Sequence, residues 1–330
     1  MKKIALLATT KHIDKIFGEK YFARLRAQGD LCLYDRDTFE DREYVLNFVK
    51  GANVIITSWG TPAIEQDILD VCPDLELICH AAGTPKPILS EGVIAKNIPT
   101  TFSACALGEG VAETALGFAI SGAKHFYWLN NDTGKGMWAE NKRNLVDFYD
   151  ITVGVISGGF VGRHFIKLLQ NFNVDVLLYD PTMTAEQVAA LGATKAELDE
   201  MLSKSDVISI HAPSIPATVK MLNASNLHLI KDGAVVVNTS RGAIFDEPAL
   251  IEELKKGRFY ACIDVTDPEP PAVENELRYL DNVILTPHIA GCVTNGMKRI
   301  AKHVCEEVER FYNGEELRTR VNFDLLSKMA

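Results

Sequence analysis

Residues 152–180, TVGVISGGFVGRHFIKLLQNFNVDVLLYD, read as strand, glycine turn, helix and second strand, closing on an acid. Val153–Ile156 is a short apolar run, and Ser157-Gly158-Gly159-Phe160-Val161-Gly162 is a turn rich in glycine. Phe165, Leu168 and Leu169 recur at helical spacing, and Val174–Tyr179 is β-branched and apolar. A βαβ unit of this kind seats a pyrophosphate on the helix N-terminus, where unsatisfied N–H groups and the helix dipole favour anions. Asp180 lies 18 residues beyond Gly162, roughly where an acidic side chain meets an adenine ribose. The pattern is incomplete: Ser157 holds the place of the first Gly of G-x-G-x-x-G, and such turns also arise for packing alone.

Outward from this unit the same alternation continues. Before it, Lys3–Ala8, Leu31–Tyr34, Val54–Thr57 and Leu75–His80 are strand-like, with helical stretches at Asp41–Lys50 and Glu65–Val71 between them. Strands alternating with helices predict a parallel sheet covered by helices, an α/β fold. Gly108–Trp128 predicts one long helix rich in small residues that connects two such halves, and Asn130–Gly136 reads as a polar loop after it. A last helix over Val293–Tyr312 carries Ile300, Val304, Val308 and Phe311 on one side and stops at Asn313-Gly314. Its position after the nucleotide-type half predicts a return to the first domain, which would make that domain discontinuous.

Composition narrows the function. A chain of 330 residues with formal charge −10 has room for two domains and lacks the basic surface of a nucleic-acid binder. No apolar run reaches the roughly 20 residues that span a bilayer, and MKKIALLATTKH at the N-terminus fits a first buried strand better than a signal peptide. Seven cysteines without C-x-x-C spacing point to reduced core residues of a cytoplasmic protein, with neither a disulfide framework nor a metal site.

Beyond the glycine unit, VISIH (207–211), AVVVN (234–238), ACIDV (261–265) and VILT (283–286) are further strands. Arg241, Glu269 and His288 each fall just past the end of a different one, the end at which open α/β sheets bind ligands. Hydride transfer to a carbonyl carbon develops charge on its oxygen, so a proton donor is needed nearby, and histidine suits that task. A carboxylate orients the ring and favours its charged form. A guanidinium grips a substrate carboxylate through two parallel hydrogen bonds. Taken singly, each has a plainer reading: Arg241 as a solvated charge, Glu269 as loop decoration, His288 as a capping residue.

With these motifs assembled, the chain resembles the D-isomer-specific 2-hydroxyacid dehydrogenase family over nearly its whole length. The resemblance rests on Val111-Ala112-Glu113, the glycine turn with Asp180, and Ser205-Asp206-Val207 through His211-Ala212-Pro213. Lys231-Asp232-Gly233-Ala234, Asn238-Thr239-Ser240-Arg241-Gly242, Asp264-Val265 through Glu269-Pro270, and Thr286-Pro287-His288-Ile289-Ala290-Gly291 extend it. It implies two Rossmann-like (flavodoxin-like) doubly wound domains with the active-site cleft between them: a substrate-binding domain of residues 1–108 and 298–330, and an NAD-binding domain of residues 109–297. It also implies a homodimer, NAD as cofactor, and a small 2-keto or D-2-hydroxy acid as substrate.

By the same resemblance Arg241, Glu269 and His288 are catalytic, with Glu269, the acid directly before Pro270, preferred to Asp267. Gly159, Phe160, Val161 and Gly162 would meet the pyrophosphate, and Asp180 the ribose hydroxyls, favouring NAD over NADP. Ala212, Thr239 and Ser240 would line the nicotinamide side, with Asp264 near the carboxamide. Gly83 and Thr84 would bind the substrate carboxylate together with Arg241. The chain departs from the family pattern at Ser157, at Phe160 (often Arg), in the His80–Pro85 loop, and at Thr114 (often His). That no regulatory segment follows Ala330 is expected to set it apart from the long phosphoglycerate dehydrogenases. A reading of a different class, a non-catalytic NAD(H)-sensing or corepressor-like protein, draws on those departures; the intact Arg, Glu and His weigh against it.

Overall fold

A computed structural model describes residues 1–138, 145–291 and 293–328. The chain divides into two compact units, Met1–Leu107 with Cys292–Met329, and Gly108–Gly291.

The first unit is built on β1 (Lys3–Leu7), β2 (Asp30–Leu33), β3 (Val54–Thr57), β4 (Leu77–His80) and β5 (Thr100–Phe102). They form a parallel sheet in the order β2-β1-β3-β4-β5, the flavodoxin-like arrangement. Every residue of β3 and β4 is buried, as a parallel sheet covered on both faces requires, whereas edge strand β2 is half-exposed. Local signals start the covering helices: the Thr9 side chain accepts from His12 N, and the Asp41 side chain from Tyr44 N. Lys298–Tyr312 is the helix that returns to this unit, burying Ile300, Ala301, Val304 and Val308 in its core. Asn313 is its C-cap, and Gly314 follows with φ +69°, the left-handed stop that glycine accepts. Buried on the same helix, Glu307 accepts from Arg318 N (3.1 Å) and Thr319 N (3.2 Å), steering the chain so that Val321 N bonds Thr100 O beside β5. The helix predicted from Val293 begins instead with a 3-10 turn, Thr294–Met297.

The second unit contains β6 (Tyr149–Ile156), β7 (Asn173–Tyr179), β8 (Thr194–Lys195), β9 (Val207–Ile210), β10 (Val235–Asn238), β11 (Tyr260–Ile263) and β12 (Val283–Leu285). The order is β12-β11-β10-β9-β6-β7-β8, all parallel. From β6 the chain builds outward to β8 and then crosses back to β9 on the other side. The carboxyl ends of β6 and β9 are therefore the topological switch point of a doubly wound sheet. There His211 N donates to Ile156 O at 2.9 Å and ties the two ends together.

One sequence expectation fails in this unit. The long helix is Ala104–Ala123, broken at His125 (φ +53°), and Asn130–Gly136 is no loop, since a second helix covers Phe126–Gly134. Tertiary packing overrides the weak helix propensity of the Asn-Asn-Asp run. The His125 and Trp128 rings lie 4.2 and 4.4 Å from the Tyr260 ring and anchor the start of that helix.

Candidate active site

The site grows from the carboxyl ends of β10, β11 and β12. Strand β10 is an apolar Val-Val-Val run that stops at buried Asn238, whose side chain folds the following turn around itself. Asn238 Nδ2 donates to Arg241 O (3.0 Å), and its Oδ1 accepts from Ser240 N (3.0 Å) and Ser240 Oγ (2.8 Å). Such an Asx-type clamp projects Arg241 from the turn, exposed and held at Nη1 by Ser240 O at 2.7 Å. Gly242 then lets this turn lie flat on the one after β11: a Cβ there would stand 2.1 Å from Thr266 C. No other residue permits that approach, so Arg241 and the Thr266–Glu269 loop are neighbours because position 242 has no side chain.

Within that loop Glu269 Oε1 accepts from Thr266 N (3.2 Å), which leaves Oε2 to bond His288 Nδ1 at 2.7 Å. His288 itself sits at φ +51°, an uncommon backbone for a non-glycine residue. Buried Asp264 holds that conformation. Its Oδ1 accepts from Ile289 N (2.9 Å) and from the Thr286 hydroxyl, and its Oδ2 accepts from Ala290 N at 2.7 Å. His288 N in turn donates to Asp264 O at 2.9 Å. The imidazole is half-exposed, with its Nδ1 face on Glu269. Among the described residues no protein group meets Nε2, which is the nitrogen left for a substrate.

At the switch point Ser157 takes φ +78°, the left-handed conformation that glycine would adopt without strain. Its amide bonds Tyr179 O, and its carbonyl packs under Gly162, where a Cβ would come within 2.0 Å. Gly159 is the N-cap of the Phe160–Leu169 helix, and a Cβ on it would meet only Ser157 Oγ at 3.8 Å, so the space above the turn is open. Asp180 is nearly buried. Its Oδ2 accepts from Gly158 N (2.8 Å), and its Oδ1 from Thr182 N (2.9 Å) and Thr182 Oγ1 (2.7 Å). Val161 is half-buried, Phe160 exposed, and Ala212 buried two residues past the end of β9.

The expected nicotinamide-side residues divide. Ser240 is committed to Asn238, whereas Thr239 is buried with its Oγ1 unpartnered, a polar atom of the kind a bound ligand satisfies. Asp264 spends both carboxylate oxygens on the 286–290 segment. Gly83 and Thr84 belong to the first unit and follow β4, in a loop fixed by Ser58 Oγ to Ala81 O (3.3 Å) and Ser103 N to Ala82 O (2.9 Å). Thr114 Oγ1 bonds Gly110 O at 3.1 Å and Ala290 O at 3.4 Å, tying the long helix to the His288 loop. Sequence reasoning quoted Asn238 within its motif but gave it no role, although an Asn closing a buried strand two residues before a Ser is an Asx-turn signal.

Comparison with known proteins places the chain in a family. Residues 116–290, more than half of the chain, match the family model described as D-isomer specific 2-hydroxyacid dehydrogenase, NAD binding domain. The chain belongs to this family. The D-3-phosphoglycerate dehydrogenase of Archaeoglobus fulgidus is 32% identical over 85% of this chain and 53% of its own length. The hydroxypyruvate reductase of Blautia hydrogenotrophica is 28% identical over 90% of this chain and 94% of its own. A phosphoglycerate oxidoreductase structure from Rhizobium etli shares the fold, with TM-score 0.84 at 21% identity over 98% of this chain and 99% of that one. The chain spans about half the length of the phosphoglycerate dehydrogenases it matches, 54% and 53% for two of them. As in a member of this family, the residues at hand fit a dinucleotide cofactor. An open glycine turn on a helix N-terminus, an acid at the end of β7 and an orphaned Thr239 hydroxyl are the groups a dinucleotide engages.

Proposed function

We propose that the chain interconverts a small 2-keto acid and the D-2-hydroxy acid, with NAD(H) as the hydride carrier. The observation that carries this reading is the 2.7 Å His288–Glu269 pair beside the Arg241 turn, inside a unit of the NAD-binding family. Nicotinamide, when bound, supplies or accepts the hydride. The protein does the rest. His288 Nε2 delivers a proton to the carbonyl oxygen on reduction and removes it on oxidation. Glu269 keeps the ring turned and its Nδ1 protonated, so that only Nε2 exchanges with substrate. Arg241 binds the carboxylate and polarises the adjacent carbonyl, and the backbone at Gly83 and Thr84 is assigned to carboxylate binding as well.

Gly159, Phe160, Val161 and Gly162 are assigned to the pyrophosphate, Asp180 to the ribose hydroxyls, and Ala212, Thr239, Ser240 and Asp264 to the nicotinamide side. A 2′-phosphate would meet the Asp180 carboxylate, so NAD is the preferred cofactor. Steady-state assays over a panel of 2-keto acids, each with NADH and with NADPH, test this. Turnover is expected with at least one acid and NADH, and Asp180→Ala is expected to narrow the NADH preference by about tenfold or more. Binding of NADH without turnover of any acid in the panel would sink the enzymatic reading. The relatives above are named as dehydrogenases, reductases or oxidoreductases, and none of them supports a non-catalytic sensor.

A homodimer is proposed from the family resemblance, with the exposed aromatics Phe126, Tyr127 and Tyr149 of the second unit as its candidate contact residues. Sedimentation should give twice the chain mass, and Phe126→Glu with Tyr127→Glu should shift it toward the monomer. No disulfide joins any of the six described cysteines, which supports a cytoplasmic location; no helix among the described residues is long and apolar enough to cross a membrane.

A further inference from the structure

One cation at the glycine turn has no part in the scheme above. Arg163 stands three residues after Phe160 on the Phe160–Leu169 helix, so the two side chains share a face. Helical side chains lean toward the N-terminus, and Arg163 folds back until its Nε donates to Gly158 O at 2.8 Å. Gly158 is thereby braced on both sides: its N–H by the Asp180 carboxylate, its carbonyl by the Arg163 guanidinium.

That placement is costly in isolation. A cation at a helix N-terminus opposes the dipole, and among the described residues no carboxylate neutralises Arg163. The chain has formal charge −10 and so does not lack acids to pair with it. An exposed guanidinium held at one nitrogen, with its remaining donors uncommitted, stands beside the helix end that already favours an anion and beside the open space over Gly159.

We propose that Arg163 binds the pyrophosphate of the cofactor, supplying from the far end of the first helical turn the charge that Phe160 cannot supply from its start. The proposal rests on the NAD reading and assigns a phosphate-binding residue to it. The turn at Ser157–Gly162 would then have two functions for one side chain: the Nε edge fixes the turn, and the Nη edge meets the ligand.

The test is a fluorescence titration of NADH on the intact chain, with displacement by ADP and by adenosine, for wild type, Arg163→Gln and Arg163→Lys. Arg163→Gln should weaken NADH and ADP each about tenfold, leave adenosine within about twofold, and flatten the salt dependence of NADH binding. Arg163→Lys, which keeps the charge, should recover part of the loss. NADH affinity of Arg163→Gln within about twofold of wild type would overturn the proposal. So would an equal loss of adenosine, because that would mean Arg163 only props up the turn. If wild type itself fails to bind NADH, the NAD reading falls and the proposal with it; if wild type binds and only the variant comparison fails, the NAD reading stands.

Discussion

His288→Ala is expected to lower kcat for reduction of a 2-keto acid by NADH by about 1,000-fold, with NADH affinity within twofold of wild type. The size follows from general acid catalysis, which contributes roughly 10²–10⁴ in rate. The separation of effects follows from where the ring sits. His288 projects from the loop after β12, half-exposed, with Nδ1 on Glu269 and its backbone pinned by Asp264, and it makes no contact with the glycine turn at Ser157–Gly162. Glu269→Gln keeps the shape of that contact and removes the charge, so it should retain more activity than His288→Ala. Arg241→Lys is expected to raise KM for the acid more than it lowers kcat, because a single ammonium replaces a two-point grip. Stopped-flow traces of NADH oxidation and separate NADH titrations distinguish these outcomes. An unchanged kcat for His288→Ala would remove the proton-transfer role altogether.

Much of this arrangement was legible in the chain because its signals are local. Apolar runs of three or four residues, each closed by a polar turn, mark parallel strands, and Arg241, Glu269 and His288 fall on such turns. The glycine turn was legible for the same reason, even with Ser157 in place of a glycine: the backbone imposes φ +78° on the serine, and Gly162 keeps the close packing. What escaped depends on distant partners. β5 is a buried Thr-Thr-Phe with no apolar periodicity, completed by the C-terminal segment that Glu307 steers toward it. The 126–134 helix is held by Tyr260, which lies far along the chain. Asp264 reads as a strand acid, and nothing in the local sequence says that three groups of the His288 loop will converge on it. Arg163 was legible as a residue, but its reach to Gly158 O was not.

The second large effect is on stability in acid. Burial pushes the His211 pKa down to about 3 and the His80 pKa down to about 4, against an ordinary histidine value of 6.5. His211 makes the cause concrete. Its Nε2 lies 3.0 Å from Ser209 Oγ, while Nδ1 is buried without a partner, so an imidazolium there would carry an N–H that nothing accepts. In His80, Nδ1 bonds Thr57 Oγ1 at 2.8 Å, and a bond to the Thr84 backbone offsets only part of the burial. The sign follows from linkage. Above about pH 6.5 each ring is neutral folded and unfolded, and neither contributes to pH dependence. Below it the unfolded chain takes up protons that the folded chain refuses, so stability falls from pH 6.5 down to the folded pKa. At pH 5 the loss is about 2 kcal/mol per histidine, one in each unit. Urea midpoints measured at pH 7.5 and 5.0 should fall accordingly, and His211→Asn should reduce the difference between the two pH values even if it lowers stability at both. Midpoints that coincide at pH 7.5 and 5.0 in wild type would contradict the argument.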